Sequence, residues 1–299
     1  MLKAVERKIE QYINDLEDKD ISNIVSKMPA GKRLRAKLML EIAGSNTLSV
    51  IKSAAIVEMI HSASLLHDDV IDDALTRRGV ESINAIYGSK SAIMVGDVLY
   101  SKAFYELIDI DRKVAKVISN AVVELSLGER KDVYMSESFN IDADAYRHMI
   151  YQKTAALIEA ASVSAALLSG KNPEIYRIYG KNLGIAFQMI DDILDITSDS
   201  KTLGKPALND FVEGKTTLPY IYLYEVLDED DRKTLKSYHK RKLSCNEHKW
   251  IINKFKEHNI IEKAKKEAFD LVQEAIVLMK EAGESRLEEI AVKMVDRSF

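Results

Sequence analysis

Aspartates recur with one spacing at two places in this chain. Leu65 to Gly79 reads LLHDDVIDDALTRRG and Phe187 to Asp195 reads FQMIDDILD, so both stretches hold Asp-Asp-x-x-Asp inside apolar sequence. On a helix, residues four apart share a face. That places Asp68 beside Asp72 and Asp191 beside Asp195, with Asp69 and Asp192 turned about 100° around the axis. Like charges stacked in this way destabilise a helix, and burying them unpaired costs more. A divalent cation removes the penalty. Donors that are all oxygen suit Mg2+, which keeps several waters and is held by a few carboxylates together with substrate phosphates. One such cluster alone could equally be a solvated face. Two copies, each following apolar residues, point to metal.

The basic residues point to phosphate as the metal's companion. Gly31-Lys32-Arg33-Leu34-Arg35 follows Pro29 where a helix is predicted to begin. Lys32 and Arg35 are three apart and share a face there, and a helix N-terminus attracts anions. Arg77 and Arg78 follow the first aspartate cluster, and Lys205 and Lys215 follow the second. Arginine offers a planar fork for phosphate oxygens. Each group alone is weak evidence; the pairing of carboxylates with cations on both sides is the informative feature. A His-Asp pair such as His67-Asp68 also occurs in metal-dependent phosphohydrolases, but those need a further upstream histidine. The first histidine here is His61, only six residues earlier. His67 is therefore read as structural. His61 lies two helical turns before Asp68 on the same face.

The elements that must hold these groups are helical. Apolar residues recur with helical period nearly everywhere, and no run alternates with period two. The pattern predicts helices near 2–18, 32–44, 49–74, 89–108, 112–137, 142–169, 173–198, 216–226, 228–241, 246–258, 260–282 and 284–297, and no sheet. Asn46-Thr47, Asp109, Asn140 and Asn172 are candidate caps. The connection 199–215 is long enough to be functional. With 299 residues, 46% hydrophobic and 30% charged, the chain can bury a large core. The reading is all-α, with residues 1–299 as one large domain. A net charge of −4 lacks the basic excess of a nucleic-acid binder. The N-terminal segment is charged throughout, unlike a signal peptide. The most apolar stretch, Thr154 to Leu168, is shorter than a membrane span needs and reads as a core helix. The single cysteine, Cys245, fits a reducing cytoplasm.

At these residues the chain resembles the trans-isoprenyl diphosphate synthases, the family of farnesyl, geranylgeranyl and longer polyprenyl synthases. The resemblance runs from Gly31 to Pro219 through GKRLR, IHSASLLHDDVIDDALTRRG, VGDVLYSKAF, Lys153-Thr154, GIAFQMIDDILD and LGKPALNDFVEGKTTLP. It implies about a dozen helices around a central cavity, the isoprenoid synthase fold. It also implies a homodimer that joins isopentenyl diphosphate to allylic diphosphates (dimethylallyl, geranyl, farnesyl), with three Mg2+ ions when substrate is bound. Asp68, Asp72, Asp191 and Asp195 would hold the metal, supported by Asp69 and Asp192. Arg77, Lys153, Thr154, Gln188, Lys205 and Lys215 would contact the allylic diphosphate. Lys32, Arg35, His61 and Arg78 would hold isopentenyl diphosphate, and Asp210 would be a supporting carboxylate. Among these, Asp68, Asp72, Lys153, Asp191 and Lys205 would carry the catalysis.

Three positions depart from the family pattern: Ala36 stands where Pro is frequent, Glu129 where Gln is usual, and Leu208-Asn209 where a smaller, Gly-containing pair is common. Small residues at Ala63 and Ser64, one turn before Asp68, imply an open tunnel and a product of C20 or longer, with Ile60, Tyr100, Phe104 and Tyr105 as candidates for its floor. The competing readings are a farnesyl diphosphate synthase, a class I terpene cyclase and a non-catalytic helical partner subunit. Lys32, Arg35, His61 and the two complete acidic clusters weigh against the last two.

Overall fold

A computed structural model describes residues 1–29, 31–197 and 207–295. In chain order the elements are α1 (Leu2–Asn14), α2 (Lys19–Lys27), α3 (Leu34–Ala43), α4 (Leu48–Ile71), β1 (Thr76–Arg77), β2 (Val80–Glu81), α5 (Ile83–Tyr87), α6 (Ser89–Leu107), α7 (Arg112–Met135) and α8 (Ala143–Ile150). A π-helical turn (Tyr151–Ala155) follows, then α9 (Ala156–Leu168), α10 (Pro173–Thr197), α11 (Asn209–Val212), α12 (Leu218–Val226), α13 (Glu229–Tyr238), α14 (Cys245–Glu257), α15 (Ile260–Glu281) and α16 (Ser285–Val295). Two compact units contain them. The first is Met1–Val123 with Leu157–Gly180; the second is Glu124–Ala156 with Lys181–Phe299.

In the first unit α4 is the central helix. Val50, Ala54, Ala55, Ile56, Val57, Ile60 and Ala63 are fully buried along it, and it packs against α1, α3 and α6. Each fully buried branched side chain contributes about 1.5–3 kcal/mol, so the helix is held by its whole circumference. Among the described residues α4 is also the one helix long and apolar enough to cross a membrane; its burial and its Glu58, His61, Asp68 and Asp69 make it a core helix. Thr47 caps it, accepting the Val50 N–H at 3.4 Å. In the second unit an aromatic stack forms part of the core. Phe211 stacks on Tyr220 at 4.3 Å, and Tyr220 meets Phe255 edge-on at 5.1 Å.

The structure differs from the sequence reading at several joints. The run read as 2–18 ends at Asn14, and a second helix, α2, begins under an Asp18 cap that accepts from Asp20 and Ile21 N–H. The helix read as 142–169 contains the π-turn. Asp111, not Asp109, caps α7. Asp142, not Asn140, caps α8, while Asn140 accepts from the Asp142 N–H. Asn172 accepts the Glu174 N–H as expected. The expectation of no sheet misses one antiparallel hairpin, β1–β2. Its two-residue turn, Arg78-Gly79, has φ of 53° and 79°, the paired positive values that a hairpin turn of the I′ kind requires.

Candidate active site

The first aspartate cluster stands where α4 stops. Asp72 is its C-cap and Asp73 turns the chain at φ 48°. The carbonyl end of a helix is its negative pole, so carboxylates there are disfavoured by about 0.3–1 kcal/mol each. Asp68 is half-buried and Asp72 exposed, whereas Asp69 is buried. Asp69 does not face the same way as its neighbours. Its Oδ1 accepts from Arg77 Nε and Nη2, both at 2.7 Å, and its carbonyl accepts from Asn84 Nδ2 at 3.1 Å. Ser82 Oγ and Asn84 Nδ2 both donate to the Ala74 carbonyl, so the chain after the aspartates is pinned and the hairpin holds Arg77 and Arg78 out from it.

Around His61 the positive charges converge. Burial holds its imidazole well below the ordinary value, and the fields of Arg35, Arg78, Arg77 and Arg33 add to that effect. Burial lowers both the Arg35 and Arg78 guanidinium pKa as well, with Glu58 acting against the shift. Arg35 Nε is buried and has no hydrogen-bond partner among the described residues. A side chain at Gly31 would meet Arg78 Nη1 at 3.3 Å, so the bare glycine allows the hairpin and the start of α3 to approach. Glu58, 2% exposed, accepts the Ala36 N–H at 2.9 Å and lies 3.7 Å from Arg33 Nη1. Four guanidiniums, the histidine and one buried carboxylate thus lie near one another, a net positive set that suits a multiply charged anion.

The second cluster lies in the last two turns of α10, again at a negative helix pole. Asp191 is half-buried; Asp192 and Asp195 are buried. Both oxygens of Asp192 are engaged: Tyr146 Oη donates to Oδ2 at 2.5 Å and Gln188 Nε2 to Oδ1 at 2.8 Å. Thr154 Oγ1 donates to Gln188 Oε1 at 2.7 Å. Burial pushes the Asp192 carboxyl well up, Asp210 and Asp191 reinforce that, and the two donors oppose it. Asp210 N–H reaches Asp195 Oδ2 at 3.3 Å, and the Leu208 N–H reaches the Asp195 carbonyl at 2.9 Å. The π-turn presents Lys153, whose Nζ pairs with Asp132 at 2.6 Å and Glu129 at 2.9 Å. Two glycines let backbones close on that turn. A Cβ at Gly128 would fall 2.4 Å from Lys153 N, and one at Gly184 would fall 2.4 Å from Ala155 Cα.

Within the first unit the structure thus gathers Arg35, His61, Arg77 and Arg78 with Asp68, Asp69 and Asp72. Within the second it gathers Lys153, Thr154, Gln188, Asp191, Asp192 and Asp195. Lys32 is exposed and precedes α3, which starts at Leu34, so the shared helical face expected for Lys32 and Arg35 does not form. Lys215 pairs with Glu213 at 3.1 Å, and Lys205 lies outside the described residues. His67 packs on α6: its Nε2 meets the Ile93 carbonyl at 3.1 Å, and a Cβ at Gly96 would strike the ring at 2.3 Å.

Sequence reasoning missed Arg33, Glu58, Asp132 and Tyr146. Glu58 left a readable trace, a lone carboxylate one turn before His61 in an apolar helix. Tyr146 left none, since its partner is 46 residues away. Among the described residues no three His, Cys, Asp or Glu side chains form a closed metal cage. Paired carboxylates at helix ends, all oxygen donors, fit Mg2+ completed by water and phosphate rather than a fully enclosed ion.

The polyprenyl synthetase family model matches residues 19–255. A short chain isoprenyl diphosphate synthase from Methanothermobacter thermautotrophicus is 38% identical over 69% of this chain and 66% of its own length. The chain spans 55% and 50% of the lengths of two chloroplastic solanesyl diphosphate synthases that it also matches. Among solved structures, octaprenyl pyrophosphate synthase from Helicobacter pylori superposes with a TM-score of 0.93 at 45% identity, covering 99% of this chain and 98% of that one. A polyprenyl synthase from Caulobacter crescentus, solved with calcium and isoprenyl diphosphate, gives 0.89 at 29% identity, covering 99% and 94%. The all-α fold is therefore the isoprenoid synthase fold, and the chain belongs to the polyprenyl synthetase family.

Proposed function

We propose that this chain joins isopentenyl diphosphate to an allylic diphosphate and repeats the step to an all-trans product of C20 or longer. The observation that carries the reading is the anion pocket around His61, seven residues before Asp68 on α4. A cyclase needs to hold one diphosphate; a condensing enzyme must hold two, and Arg35, His61 and Arg78 add cationic and donor groups beyond those that suit a metal-bound one. Arg35, Arg78 and His61 would take isopentenyl diphosphate. Lys153, Thr154, Gln188 and Arg77 would orient the allylic diphosphate. Magnesium, when bound by Asp68, Asp72, Asp191 and Asp195, supplies the Lewis acidity that makes diphosphate a leaving group.

The allylic C–O bond breaks with its electron pair on diphosphate. The double bond of isopentenyl diphosphate supplies the electrons of the new C–C bond. The proton lost next to it goes to the departed diphosphate, so no side-chain base is assigned. Apolar walls such as those of α4 exclude water from the cation. The relatives range from geranylgeranyl to octaprenyl and decaprenyl synthases, and buried Ala63 and small Ser64 support the long-product side of that range. A homodimer is supported by exposed apolar side chains on α6 and at its C-cap, where Met94, Tyr105 and Ile108 are 67%, 67% and 76% exposed. An exposed lone thiol, Cys245, suits a cytoplasmic setting.

The test is product analysis with labelled isopentenyl diphosphate and defined primers. We expect prenyl diphosphates that disappear with excess chelator, and Asp68→Ala or Asp191→Ala lowering kcat by orders of magnitude, because the metal acts on transition-state charge. Full turnover in chelator, or cyclised hydrocarbon as the sole product, would sink the reading.

A further inference from the structure

Residues 220–299 carry none of the family motifs, yet they grip the helix that bears Tyr146. On α8 the next residue, Arg147, donates from Nε to Glu267 at 2.7 Å and from Nη2 to Tyr222 Oη at 3.1 Å, and Tyr222 Oη in turn donates to Glu267. Asp142 fixes the start of α8 by accepting from the Asp144 and Ala145 N–H, both at 2.9 Å. Tyr146 is 1% exposed and Asp192 5%, so their 2.5 Å hydrogen bond forms out of water, where a hydrogen bond is stronger and its loss leaves a buried polar group unpaired. Eight residues on, Thr154 closes the other side through Gln188. One helical run, α8 with its π-turn, therefore holds Asp192 from both oxygens.

We propose that Tyr146 is a positioning residue for the second aspartate cluster: it locks Asp192 and so sets the rotation of the last turns of α10, which aim Asp191 and Asp195 at metal. The inference rests on the prenyl-transfer reading for its kinetic arm only. Tyrosine is suited to the task because burial and Asp192 keep its hydroxyl protonated and its ring fills the core while its oxygen reaches the carboxylate.

The variant is Tyr146→Phe in the full chain. Titration calorimetry with Mn2+ and inorganic diphosphate should show affinity weakened about tenfold, within the range of what leaving a buried acceptor unsatisfied costs. The KM for the allylic substrate should rise by a similar factor while the KM for isopentenyl diphosphate stays within about twofold, since its pocket is held by other contacts. Unchanged Mn2+ affinity overturns the proposal, as does an equal rise in both KM values, which a general loss of packing would produce. Should Tyr146→Phe not fold, Asp192→Asn reads the same contact; wild-type Mn2+ affinity in that variant overturns the proposal too. A wild-type chain that makes no prenyl product refutes the prenyl-transfer reading instead, and the Mn2+ comparison still decides the clamp.

Discussion

At the scale of single residues, His61 shows how charge is arranged for a ligand rather than for the empty chain. Its folded pKa lies below the ordinary 6.5. In the unfolded chain it would take a proton that the folded chain refuses, so its contribution to stability is present above about pH 6.5 and is lost as pH falls below that value. Unfolding of the wild type by denaturant at pH 5 to 7, compared with His61→Asn, should show the wild type losing stability relative to the variant as acid is added, with a limiting slope of about 1.4 kcal/mol per pH unit. A constant difference across that range would mean that neither burial nor the nearby arginines lower the His61 pKa. Arg35→Ala should chiefly weaken isopentenyl diphosphate, by about 1.5–3 kcal/mol; a larger effect on the allylic KM would reassign the pocket.

Two of the three departures from the family pattern have physical readings at this scale. Ala36 supplies an N–H that proline lacks, and the buried Glu58 takes it. Leu208 adopts φ 62°, the left-handed conformation that costs an L-residue about 1–2 kcal/mol. It is fully buried, and losing such a side chain costs about 2–5 kcal/mol. Leu208→Gly should therefore lower stability on balance, measured as a reduced denaturation midpoint; a more stable variant would show that backbone strain outweighs burial there.

At the scale of elements, the sequence was most legible where periodicity was long. The helices that carry both aspartate clusters, α4 and α10, follow the predicted spans closely, because apolar residues surround the motifs and set the period. What escaped were features made by contacts remote in sequence or by turn chemistry. The π-turn depends on Gly128 and Gly184 letting other helices close on it, which no local pattern announces. The Arg78-Gly79 turn was readable in principle, but its strands are two residues each and offer no alternation to detect. The aspartates were visible by type and spacing, yet the engagement of Asp69 by Arg77 and of Asp192 by Tyr146 was not, because spacing does not reveal such partners.

On α4, Ala63 and Ser64 lie one turn before Asp68, about 5.4 Å along the axis. Ala63→Phe or Ser64→Phe should shift products toward C15 or C20 with the first condensation kept, at about 1–3 kcal/mol of stability. Chromatography of dephosphorylated products reads this directly, and an unmoved length distribution would place the tunnel elsewhere.

At the scale of the whole molecule, the exposed face of α6 yields a test of assembly. Sedimentation should find a dimer for the wild type and a smaller species for Tyr105→Glu with Met94→Glu; a wild-type monomer at working concentration would remove the proposal. The division of the chain into two units carries a different consequence. Residues 157–180 belong to the first unit although 124–156 belong to the second. No single cut of the backbone can then release either unit whole. During synthesis, at about 5–20 residues per second, the ribosome must deliver residue 180 before the first unit has all its parts. The 33 residues of 124–156, including Tyr146 and Lys153, emerge earlier and wait for partners on α10 and beyond. Asp69 and its partners Arg77 and Asn84 are all delivered long before Asp192, so the first acidic cluster can be framed locally before the clamp on Asp192 has anything to hold.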